Sequence, residues 1–163
     1  MQILSVITLI IPINIFVIGD YLGASIQFPL LKYQITYMGS STVTILHDFN
    51  YVISGIYTSK TAVSVFIWFF GVLILLLGII LIWVKSHENI KIFKTTGILI
   101  MASALLFLVS TIVQYGLFFN GPAGIAIPIG LPVLFVIGSW IYWEGVQGKT
   151  MDDMVQGVAE EIG

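Results

Sequence analysis

No charged residue stands between Lys60 and Lys85. The run from Ala62 to Val84 carries no charge and is apolar at nearly every position. It is long enough, as a helix rising 1.5 Å per residue, to cross about 30 Å of hydrocarbon. Trp68 and Trp83 lie towards its two ends, where amphipathic rings favour the headgroup level. Gly71 and Gly78, a heptad apart, share a face on which another backbone can approach closely. Composition extends the argument to the rest of the chain. Of 163 residues, 58% are hydrophobic and 9% charged, and the mean hydropathy is +1.07. A soluble domain carries roughly 25% charged residues. So few charges do not cover a water-facing surface, and the lipid bilayer is the expected solvent for most of the chain.

Three other runs read the same way. The first covers residues 2–24, with Pro12 expected to kink it and Ser5 and Thr8 to re-satisfy part of the freed backbone. A cleaved signal peptide would want a basic start, and no Lys or Arg precedes Asp20. The third span covers residues 95–119. The fourth covers residues 125–143, with Pro128 in its first turn, Pro132 bending it, and Trp140, Tyr142 and Trp143 as an aromatic anchor. Asn120-Gly-Pro-Ala-Gly124 is a tight turn between the last two. The expected fold is an all-α integral membrane protein, a four-transmembrane-helix antiparallel bundle over residues 1–149.

Only residues 32–60 resist this assignment. Tyr33 to Met38 and Thr42 to Leu46 alternate polar and apolar side chains around Gly39-Ser40-Ser41, the pattern of a β-hairpin. His47 to Asn50 reads as a second turn, and Tyr51 to Tyr57 as a third strand broken at Gly55. A small extracytoplasmic β-hairpin or meander is therefore expected between helices 1 and 2. Side is assigned from lysines. Lys85, Lys91, Lys94 and Lys149 share one face of a four-span topology, and Lys32 and Lys60 the other. The positive-inside rule then puts both termini in the cytoplasm of a multi-pass cell-membrane protein. Residues 150–163 read as a cytoplasmic amphipathic tail. Thr150 is its N-cap, with Asp152 and Asp153 in the first turn. Met151, Met154, Val155, Val158 and Ile162 recur at helical spacing. Glu160 and Glu161 oppose anionic lipid, so a partner surface is expected for this tail rather than a membrane.

The sequence excludes several chemistries. It has no Cys, hence no disulfide, thiolate nucleophile or Cys-metal site. Its net charge is −2, with no Arg and no basic patch for nucleic acid. His47 with Asp48 invites a metal or acid–base reading. A metal site takes at least three ligands, and His87 falls across the bilayer, so a turn is the better reading. Neither His lies in a span, which argues against haem ligation. Paired carboxylates, a Ser-His-Asp grouping and a phosphate loop are all missing. No catalytic residue, cofactor or metal is therefore expected.

Two groups of candidates remain. Asp20 and a polar stripe on the third span, Thr96, Ser103, Ser110 and Gln114, would serve a conduction path or helix packing, the commoner use of such residues. Asp20 more simply marks the end of the first span. Tyr33, Ile35, Tyr37, Tyr51, Ile53 and Tyr57 of the β segment, with Met151, Met154, Val155 and Val158 of the tail, form candidate docking surfaces. The expected function is that of a non-catalytic structural or accessory subunit of a larger membrane complex, partnered by other membrane subunits or by copies of itself. The alternatives are a small channel or transporter using the stripe and Asp20, and a subunit of a membrane enzyme or respiratory complex.

Overall fold

A computed structural model describes residues 2–19, 23–85, 91–121 and 124–162. The N-terminal apolar run is not one helix. Helix α1 (Gln2–Ile7) ends in a turn in which the Ile11 amide reaches the Ile7 carbonyl and the Thr8 hydroxyl bonds the Ser5 carbonyl. Pro12 then bars continuation, because it has no N–H and clashes with the preceding turn. Beyond it stand Ile13, Ile15, Val17 and Ile18, whose branched side chains favour extended backbone. The result is strand β1 (Asn14–Ile18).

Three further strands follow as an antiparallel meander: β2 (Gly23–Gln27), β3 (Leu31–Thr36) and β4 (Gly39–Thr44). Much later in the chain β5 (Asn120–Gly121) and β6 (Gly124–Ile127) make a short hairpin. β6 pairs antiparallel with the free side of β1, Ile15 opposite Ile127 and Val17 opposite Ile125. The sheet therefore has six strands in the order β4-β3-β2-β1-β6-β5. Between the two strand groups lie α2 (Ile45–Ile53), α3 (Ser59–Lys85) and α4 (Lys91–Tyr115), and after them α5 (Gly130–Ile162).

These elements overturn the all-α, four-span expectation. The fold is mixed, and among the described residues two helices, α3 and α4, are long and apolar enough to cross a membrane. The run at 2–24 became α1, β1 and the start of β2. The run at 125–143 became β6 and the first part of α5, because Pro128 ends the strand where a helix start was expected. The alternation of sides that fixed the termini falls with these two spans. Within residues 32–60 a hairpin is present, but as two strands of six. Its two-residue turn is Tyr37-Met38, with Thr36 opposite Gly39, and not Gly39-Ser40-Ser41. Residues 47–53 are helix rather than turn and strand, and residues 54–57 are turn and bend. Thr44 caps that helix, its hydroxyl accepting from the His47 amide at 3.3 Å. Asp48 sits in the first turn, where the helix dipole favours a carboxylate.

The core runs through the three long helices. Trp68, Val72, Leu75, Ile79 and Ile82 of α3 meet Ile100, Ala104 and Phe107 of α4, and Leu131, Leu134, Ile137 and Ile141 of α5 complete it. Close approach of α4 and α5 depends on Gly97 and Gly138. A Cβ at Gly97 would lie 2.6 Å from the Gly138 carbonyl oxygen and 2.6 Å from the Tyr142 amide nitrogen. Gly145 packs against Lys94, so α5 follows α4 along its whole length. The inner face of the sheet rests on the sheet-side ends of α3 and α4.

Candidate functional site

The polar stripe of α4 lies in the crossing with α3. Thr96, Ser103 and Ser110 are buried. The Thr96 hydroxyl donates to the Gly78 carbonyl of α3 at 3.3 Å, and Ser103 bonds its own helix at Ile100. Ser110 donates to the Ser64 carbonyl at 2.8 Å. The Ser64 hydroxyl stands 3.0 Å from both the Ser110 carbonyl and the Gln114 Oε1. One hydroxyl proton serves those two acceptors in turn. Ser64 was not singled out from sequence. Its signal is a lone hydroxyl one helical turn before Trp68 on the buried face of α3.

The sheet is seated on this crossing by three polar contacts. The Trp68 indole N–H donates to the Pro29 carbonyl at 3.0 Å, joining α3 to the β2–β3 turn. The Asn14 Nδ2 donates to Thr111 Oγ1 at 3.0 Å, joining β1 to α4, while the buried Asn14 Oδ1 has no hydrogen-bond partner among the described residues. The ring of Phe16 stacks on Tyr115, centroids 5.1 Å apart. Third, Asp48 of α2 ties the sheet to the connection between α2 and α3. One of its oxygens lies 3.8 Å from Lys32 Nζ, the one salt bridge among the described residues. The other accepts from the Tyr57 hydroxyl at 3.3 Å. Burial pushes the Tyr57 phenol up to about 12, helped by the charge and hydrogen bond of Asp48. Asp48 thus joins β3, α2 and the α2–α3 connection in one structural clasp.

Among the described residues nothing covers the opposite face of the sheet. Register places Ile127, Ile15, Ile26 and Tyr33 side by side across β6, β1, β2 and β3, ending at Thr42 of β4. At about 4.8 Å between strands, those four apolar side chains span roughly 15 Å. A second row runs Ile125, Val17, Ala24, Ile35 and Ser40. Ile26, Tyr33, Ile35, Ile125 and Ile127 are all exposed. Beyond them, edge strand β4 offers exposed small polar residues with no charge and no proline, the features that usually guard an edge.

Each predicted site residue can now be placed. Asp20 lies outside the described residues. Tyr33 and Ile35 are on the uncovered sheet face, with Tyr37 exposed at the hairpin tip. Tyr51 and Ile53 are on α2, and the Tyr51 ring meets His47 and Tyr57 edge-on. Tyr57 belongs to the Asp48 clasp. Met151, Met154, Val155 and Val158 fall in the final turns of α5, continuous with the helix that packs on α4. The sheet thus unites Tyr33 and Ile35 with Ile15, Ile26, Ile125 and Ile127. Ile15, Ile125 and Ile127 were missed because their runs read as membrane spans, and Ile26 because it falls between the first run and the segment that starts at residue 32. Their signal was the β-branched alternation beside Pro12 and Pro128.

A cleft of about 550 Å³ opens at the sheet end of the crossing, lined by Lys60, Thr61, Gln114, Tyr115 and Asn120 among others. Among the described residues no group of three or more His, Asp or Glu side chains is placed to hold a metal. No protein-family model matches this chain, and no curated protein matches it.

Proposed function

We propose that this chain is a non-catalytic membrane subunit whose α3–α4 hairpin anchors an antiparallel sheet, and that the sheet docks on a partner in a larger complex. The uncovered apolar sheet face carries this reading. Monomeric soluble proteins rarely expose contiguous apolar patches beyond a few hundred Å², and such a patch in a membrane-anchored protein fits another protein surface. The membrane part is supported by the outward sides of the helices. Phe66, Phe70, Leu73, Leu77 and Ile80 of α3, and Ile98, Leu105 and Val109 of α4, are exposed and suit acyl chains, not water. Lys85, Lys91 and Lys94 gather at the α3–α4 connection, with Lys32 and Lys60 at the sheet end. The positive-inside rule supports a cytoplasmic connection and an external sheet. The hydroxyls of the α4 stripe are taken up in helix crossing, which favours docking over conduction. Mild extraction from native membranes, followed by mass measurement, tests the proposal. A species larger than the 18.0 kDa chain is expected, and a monomer in native membranes overturns it.

A further inference from the structure

Helix α2 has three flanks with different surroundings. Ile45, Asp48 and Val52 turn to the body of the protein. Asn50, Ser54 and His47 lie away from it and are exposed. Between these sets, at about 100° per residue, Phe49, Ile53 and Leu46 fall within an arc of roughly 60°. Leu46 is 64% exposed and Ile53 69%, while the Phe49 ring stacks on Phe69 at 4.7 Å and meets Phe66 edge-on at 5.4 Å. Ile56, just past the helix, is exposed as well.

Phe66 and Phe70 head the exposed apolar row of α3, so the flank of α2 and the outer side of α3 are one continuous surface. Phe66 and Phe69 lie roughly 10–15 Å along α3 from its first residue, at 1.5 Å per residue. An interfacial helix sinks its apolar side roughly 5–10 Å into the boundary between headgroups and acyl chains, which sets the first turn of α3 among the headgroups when Phe49 of α2 reaches Phe66 and Phe69.

From this continuity we propose that α2 is an interfacial anchor, with Leu46, Phe49 and Ile53 inserted into the outer headgroup–acyl boundary and Asn50 and His47 facing water. The proposal rests on the membrane reading of α3 and α4 but adds a second lipid contact, which fixes the height of the sheet above the bilayer.

The chain has no Cys, so single-cysteine variants can be spin-labelled without background. Leu46→Cys, Ile53→Cys, Asn50→Cys and, on α3, Leu73→Cys are reconstituted into phosphatidylcholine vesicles. Collision with oxygen is then compared with collision with a water-soluble nickel chelate. Labels at Leu46 and Ile53 are expected to favour oxygen several-fold over the label at Asn50, with Leu73 more lipid-like still. Nickel access at Leu46 and Ile53 beside a lipid-like Leu73 overturns the anchor and leaves the membrane reading standing. Nickel access at Leu73 overturns both. Shielding of Leu46 and Ile53 from both reagents, with spin–spin broadening that dilution by unlabelled protein relieves, assigns the flank to a second copy and overturns the lipid contact.

Discussion

At the scale of single residues the sheet is held to the helices by few polar bonds, buried at Trp68 and Asn14 and partly buried at Asp48. Trp68 is the clearest case, because its indole N–H is the donor to the Pro29 carbonyl. Trp68→Phe keeps most of the ring volume but leaves that carbonyl unpaired. A loss of about 1–3 kcal/mol is expected in denaturant unfolding of the solubilised protein. Tyr57 gives a pH signature. Its phenol, ordinarily at 10.0, is raised to about 12 by burial and by Asp48. The folded state then holds a proton that the unfolded state has already released. Its contribution to stability is complete below pH 10.0 and is lost as pH rises from there through about 12. Tyr57→Phe should flatten the decline of stability over that window, as read from unfolding curves at stepped pH. None of this clasp was visible in sequence. Lys32, Asp48 and Tyr57 are distant along the chain, and Asp48 sat in a segment read as a turn.

At the scale of elements, shape outweighs hydrogen bonding in the helix contacts. Ser64→Ala removes a hydroxyl shared between Ser110 and Gln114. Interhelical bonds between apolar helices average about 0.6 kcal/mol, so the loss should be below roughly 1 kcal/mol. Gly97→Ala places a methyl 2.6 Å from backbone atoms of α5. Overpacking of that kind costs about 1–3 kcal/mol and should open the α4–α5 crossing, detectable as a larger drop in unfolding midpoint than Ser64→Ala gives. The same scale explains what could be read in advance. α3 and α4 were legible because charge-free length admits few other structures. β1 and β6 were not. Ile-Pro-Ile-Asn-Ile-Phe-Val-Ile and Gly-Ile-Ala-Ile-Pro are as apolar as a span, and hydropathy cannot separate a helix from a strand buried on one side and uncovered on the other. Pro12 and Pro128 carried the distinction, but a kinked span tolerates proline too. α2 was hidden by Tyr, Val and Ile, strand formers that the Thr44 cap and packing on Phe66 and Phe69 held in a helix.

At the scale of the molecule, the sheet carries the sharpest expectation about partners. Tyr33 and Ile35 lie side by side in chain order on the uncovered face, so Tyr33→Lys with Ile35→Lys charges that face without touching the core. Surface changes of this sort usually alter stability by no more than about 0.5 kcal/mol, whereas charges buried in an interface cost 2 kcal/mol or more. The double variant should keep its circular dichroism spectrum while the large native species dissociates in size-exclusion chromatography. Single-residue reasoning placed Tyr33 and Ile35 among docking candidates from alternation alone. It could not supply Ile125 and Ile127, because register between β1 and β6 is set by pairing across distant parts of the chain.

That distant pairing has a consequence for biogenesis. β1 takes β2 on one side almost at once, but its other side waits for β6, whose first residue is Gly124. Everything in between, the whole α3–α4 hairpin included, must be synthesised before the sheet can close. Long-range strand pairing is slow and leaves apolar edges open to wrong partners. A ribosome stalled just after α4 should therefore hold a chain with its helices made and β1 open on one side, a state that a β6 peptide supplied in trans would seal.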